Sequence, residues 1–68
     1  MKTVLRIETD RDISEYGSKL ARNLGDAEVS VLSNGLEIIG NVRTLRAVEH
    51  EARAKFPDAT ITLTEEAD

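Results

Sequence analysis

Few side chains in this 68-residue chain could do chemistry: one histidine, His50; a group of carboxylates at Asp10, Asp12 and Glu15; and the hydroxyls of Ser14, Ser18, Ser30 and Ser33. Catalysis needs such a group held by partners in a pocket that excludes water. Helical phase sets His50 opposite the stripe Leu45, Val48, Ala52 and Phe56, so a solvent-facing histidine is expected there rather than a catalytic one. Asp10, Asp12 and Glu15 flank a strand-to-helix loop and carry the hard oxygens a cation would take, yet helix capping accounts for Asp12 and Glu15 without a metal. No base stands at a useful spacing from any serine, and neither a G-x-S-x-G elbow nor a Gly-rich phosphate loop occurs. The absence of cysteine removes thiol nucleophiles, disulfides and structural zinc. The chain is therefore expected to be no enzyme and to carry no cofactor and no metal.

Lysine and arginine number 9 against 13 aspartates and glutamates, a formal charge of −4, with 40% of residues apolar and 32% charged. That balance is too hydrophobic for a disordered acidic tail and fits a soluble globular domain. A chain this short buries roughly 60% of its unfolded surface, enough for one two-layer domain over 1–68 and not for a second core. No apolar run exceeds two residues, so no membrane partner is expected, and the opening MKTVLRIETD has no signal-peptide core. A cytoplasmic protein is the expectation.

The elements that would position these groups can be read in order. Residues 3–9 alternate as a strand with Thr3, Leu5 and Ile7 on one face and Val4, Arg6 and Glu8 on the other. Asp12 with Glu15 reads as a capping box opening a helix whose stripe is Ile13, Tyr16, Gly17, Leu20, Ala21 and Leu24, with Gly17 marking a close approach to the sheet and Gly25 the stop. Residues 27–33 and 36–42 read as strands about an Asn34-Gly35 type I′ turn, which pairs Ser33 with Leu36 and Val31 with Ile38. Thr44 can cap a second helix on the Leu45 stripe, supported by the pairs Glu49 with Arg53 and Glu51 with Lys55. Pro57-Asp58 ends it, and residues 59–64 alternate as a last strand with Ala59, Ile61 and Leu63 inward. The tail 65–68 is expected to fray.

The order β-α-β-β-α-β predicts an α+β, ferredoxin-like fold, two helices on one face of a four-stranded antiparallel sheet in order 4-1-3-2. In length and element order the chain resembles heavy-metal-associated copper-chaperone domains. Those carry two cysteines in the first strand-to-helix loop, which here reads Thr9-Asp10-Arg11-Asp12, so metal transport is not implied. Asp10-Arg11-Asp12-Ile13 is similar to the same loop of ACT domains, which pair through sheets and bind amino acids at the interface, although the usual Pro-Gly is absent. Acylphosphatases share the element order, but their Gly-rich, Arg-containing phosphate loop has no counterpart. RNA-recognition motifs stack bases on aromatics of the two central strands, which here carry none. With a negative net charge as well, no direct nucleic-acid partner is expected. Element order alone does not establish function.

What is left is surface. The sheet face away from the helices is expected to show Val4, Leu32 and Ile39 as one apolar spot, ringed by Arg6, Ser30, Glu37, Thr60, Thr62 and Thr64. Both outer strands would present unpaired backbone, the last one without an inward charge or proline to guard it. Asp10, Asp12 and Glu15, with Asp26, could meet a basic groove on a partner. These readings favour a non-catalytic module that occludes or pairs with a protein partner. Small acidic cysteine-free domains of this kind occur among inhibitors carried by phages and mobile elements, anti-CRISPR proteins included. The alternatives are an ACT-like homodimer that binds a small molecule and a self-associating structural subunit.

Overall fold

The computed structural model describes residues 2–66. Alternation in the sequence builds four strands, β1 (Lys2–Glu8), β2 (Glu28–Leu32), β3 (Gly35–Gly40) and β4 (Thr60–Glu66), and the two amphipathic stretches build α1 (Ser14–Asn23) and α2 (Val42–Lys55). The strands form one antiparallel sheet in the order β2-β3-β1-β4, which is the expected 4-1-3-2 arrangement of a ferredoxin-like fold. α1 lies against β2 and β3, and α2 against β1, β4 and β3. Between helices and sheet, Leu5, Ile7, Leu36, Ile38 and Leu45 are fully buried, closed in by Ile13, Tyr16, Leu20, Val48 and Ala52. Among the described residues no helix is long and apolar enough to cross a membrane.

Gly17 confirms the close approach read from its place in the stripe. A Cβ built there would sit 2.6 Å from Leu36 Cδ2, so the helix backbone rests on the sheet because nothing projects from it.

The hairpin differs from its expected register. Val31 pairs with Leu36 and Val29 with Ile38, two residues away from the alignment an Asn34-Gly35 turn would give. The loop is Ser33-Asn34, neither of which has a positive φ, so no type I′ turn forms, and Gly35 instead begins β3 at φ +156°. A Cβ on Gly35 would lie 1.8 Å from the Ile7 carbonyl oxygen, and that contact is the reason for glycine at this position. A shift of two preserves which face each residue takes. It does move Val31 toward the end of the edge strand, where it is 57% exposed rather than buried as the pairing with Ile38 implied.

Helix ends depart by one to three residues. α1 opens at Ser14 with Ile13 as the capping position, so the Asp12–Glu15 capping box is replaced by a turn in which Asp12 Oδ1 accepts from the Ser14 amide at 3.0 Å. The helix closes at Asn23 through the Leu24 amide, ahead of Gly25, and Ala21 is exposed at the border of the stripe. α2 is capped by Asn41, whose Oδ1 accepts from the Thr44 amide at 2.9 Å, in place of the cap assigned to Thr44. Asparagine and threonine are both good caps, and the extended backbone of Asn41 decides between them. The tail expected to fray over 65–68 is strand through Glu66, paired with β1, and residues 67 and 68 lie outside the described residues.

Candidate functional site

On the sheet face opposite the helices, the register sets the side chains in three rows running from β2 to β4. The first row is Glu28, Ile39, Val4, Thr64; the second is Ser30, Glu37, Arg6, Thr62; the third is Leu32, Gly35, Glu8, Thr60. Val4 and Ile39 are direct cross-strand partners and both are half-buried, so each shields the other's inner flank. Beside them the Arg6 guanidinium meets Glu37 Oε2 at 2.7 Å. Together with Lys2, Glu8, Thr62 and Thr64 they line a shallow depression of about 440 Å³.

This geometry brings together Val4, Arg6, Glu37, Ile39 and Thr62 and leaves Leu32 and Thr60 apart. In the expected register Leu32 would stand diagonal to Ile39. In the observed one it is level with Gly35, two rows away, and the Arg6–Glu37 ion pair lies between. The three-residue apolar spot is therefore a two-residue one, Val4 with Ile39.

The acidic loop is held by its own hydrogen bonds. The Arg11 amide donates to Thr9 Oγ1 at 3.2 Å, the Arg11 guanidinium reaches Asp58 at 3.1 Å, and the Thr9 amide donates to the Asn34 carbonyl at 2.9 Å. Asp12 accepts from the Ser14 hydroxyl at 2.7 Å as well as from its amide, and these bonds, the hydroxyl first, hold its carboxyl below the usual carboxylate range. Asp10 and Glu15 are exposed. Asp26 does not join them. It accepts from Asn41 Nδ2 at 2.7 Å beside the far end of β3. Among the described residues no three acidic or imidazole groups gather where a metal ion could be held.

A third feature links the helices and was not foreseen. The Tyr16 hydroxyl donates to Glu51 Oε1 at 2.9 Å, its ring meets Phe56 edge-on at 5.3 Å between centroids, and Lys55 Nζ stands 5.3 Å from its centre. Reading along α2 pairs Glu51 with Lys55; in the fold both turn to Tyr16. The signal available was the tyrosine itself, since a core tyrosine needs a partner for its hydroxyl. Burial, and then the bond and charge of Glu51, raise the Tyr16 pKa well above its ordinary value, so at neutral pH the phenol is a donor and not a base. The groove beside it, about 610 Å³, runs along Glu15, Lys19, Arg22, Lys55 and Phe56 and is open to solvent. His50 is exposed on the outer side of α2.

Compared with known protein families, with curated proteins and with solved structures, the chain has no match in any of the three.

Proposed function

We propose that the protein is a non-catalytic interaction module that acts by covering a surface of a protein partner with the open face of its sheet. The observation that carries this reading is the Val4–Ile39 pair, an apolar centre on the two middle strands of an uncovered face, bordered by the Arg6–Glu37 ion pair, Lys2 and a threonine column. An apolar middle with a polar rim is the layout of protein contact sites. The aromatics are elsewhere, packed between helices, which leaves no ring on this face for stacking on nucleic acid.

Occlusion of this kind needs no reacting group and so agrees with the dispersed hydroxyls, carboxylates and single histidine. The carboxylates of Asp10, Asp12 and Glu15 lie at the end of β1 and add a negative border, which speeds encounter with a basic partner and makes that contribution salt-sensitive. An inhibitor of the type phages and mobile elements carry, anti-CRISPR proteins among them, is the form of this role that suits the size and the charge of −4.

A photoreactive amino acid placed at Ile39 tests the reading against one placed at His50. Adducts to a discrete protein from position 39, absent from position 50, are the expected result. Equal labelling from both positions, or none from 39, rejects the sheet face.

A further inference from the structure

The two edges of the sheet are not alike. On β4, Glu65 stands level with Thr3 in the helix-side row that also holds Ile61 and Leu63, so the strand ends in a charge on the side where a second sheet would have to bury its own apolar residues. Charges so placed are a common guard against edge pairing, and this one overturns the expectation of an unguarded last strand, which followed from ending that strand at residue 64 rather than 66. β2 has no such guard. It contains no proline, and its one charge, Glu28, lies across from Ile39 on the opposite face.

The helix-side row of β2 is Val29 and Val31. Val29 is half-buried, and Val31, at 57%, is the exposed large hydrophobic side chain of the described residues. Its exposure has a local cause. At Gly17 α1 presents no side chain to it, and even an added Cβ would only touch Val31 Cγ2 at 3.4 Å; toward the start of α1 it borders a small hollow shared with Arg11, Ile13 and Ser14. Tyr16 turns one flank of α1 toward α2.

We infer that a second copy of this chain pairs antiparallel along β2, about a two-fold axis at Ser30, to give an eight-stranded sheet. The strand Glu28-Val29-Ser30-Val31-Leu32 is self-complementary about its centre. The axis sets Val29 of each copy against Val31 of the other, twice, on the helix side, and Ser30 against Ser30 on the open side. Glu28 then faces Leu32, so no like charges meet. An isologous contact of this kind closes at two subunits. A strand from an unrelated protein would satisfy the backbone equally well, but the match of Val29 to Val31 in both directions specifically fits a copy of the same strand. The inference is independent of the partner proposed for the open face, because Val4 and Ile39 lie on β1 and β3. A dimer sets two such faces side by side.

The experiment is the oligomeric state of the full chain by sedimentation across a dilution series, for the unaltered protein, Val31→Lys and Thr60→Lys. A species of twice the 7.5 kDa chain mass is expected. Val31→Lys should raise its dissociation constant by at least about tenfold with an unchanged circular dichroism spectrum, and Thr60→Lys, on β4, should leave it alone. Because the chain has no cysteine, Ser30→Cys gives an independent reading. Directly opposed residues on antiparallel strands lie about 4.5–5.5 Å apart at Cα, within disulfide range, so oxidised glutathione should link the two copies. A monomer throughout the series, a dimer indifferent to Val31→Lys, or a dimer that Ser30→Cys does not link overturns the inference. So does a monomer whose β2 edge captures the strand of another protein.

Discussion

Leu36 Cδ2 occupies the space a side chain at position 17 would need, 2.6 Å from where a Cβ on Gly17 would be. Leu36 is fully buried and has little room to turn away. Alanine in place of a mid-helix glycine gains about 1 kcal/mol of helix propensity, while forcing an extra group into a packed core costs about 1–3 kcal/mol. Gly17→Ala is therefore expected to lower stability by about 1 kcal/mol in a urea melt. A higher melting point would show that α1 does not rest on β3 through this residue.

Gly35 is held more tightly. Its Cβ would meet backbone, the Ile7 carbonyl, at a φ of +156°, and backbone cannot step aside as a side chain can. Gly35→Ala should cost at least about 2–3 kcal/mol, much of the stability of so small a domain. An equilibrium melt with an unchanged midpoint would refute the hairpin geometry.

Tyr16 makes stability fall at alkaline pH. The folded chain keeps the phenolic proton above the ordinary value of 10.0, whereas the unfolded chain releases it there. Below about pH 10 both states are protonated and the contribution is whole; as pH climbs from that value toward the raised one, the unfolded state binds fewer protons and stability is lost. The chain has one tyrosine and no tryptophan, so phenolate absorbance reports this residue alone. It should appear only when the fold gives way. Tyr16→Phe should remove the alkaline loss and, since Glu51 is left in water, cost about 1 kcal/mol at neutral pH.

Val31 and Ile38 share the helix side of the sheet but not its burial, 57% exposed against none. At a concentration where the chain is monomeric, Val31→Glu should change stability by less than about 1 kcal/mol. Ile38→Glu buries a charge and should unfold a domain whose total stability is on the order of 5 kcal/mol. Equal effects in circular dichroism melts would contradict the placement of β2 at the edge.

The contrast between Val31 and Ile38 shows what the sequence could carry. Alternation about Leu5 and Ile7, and the stripe of Leu45, Val48 and Ala52, set element order and inward faces because they record the period of each element. Register depends on turn geometry, and Ser33-Asn34 competes with Asn34-Gly35 as the loop; a step of two leaves faces intact but moves Leu32 away from Ile39 and Val31 to the rim. Val31's exposure also depends on what α1 lacks at Gly17, a tertiary matter no pattern within 27–33 records. The Arg6–Glu37 pair was within reach as two opposite charges on adjoining strands. The Tyr16–Glu51 bond was not, since it joins residues 35 apart on different helices.

The most direct test of the open face is capture of protein from cells of the source by the unaltered chain, by Ile39→Glu and by His50→Glu, with folding verified for each. The account predicts a discrete partner held by the unaltered chain and by His50→Glu and lost with Ile39→Glu. Retention of that partner by Ile39→Glu would contradict it.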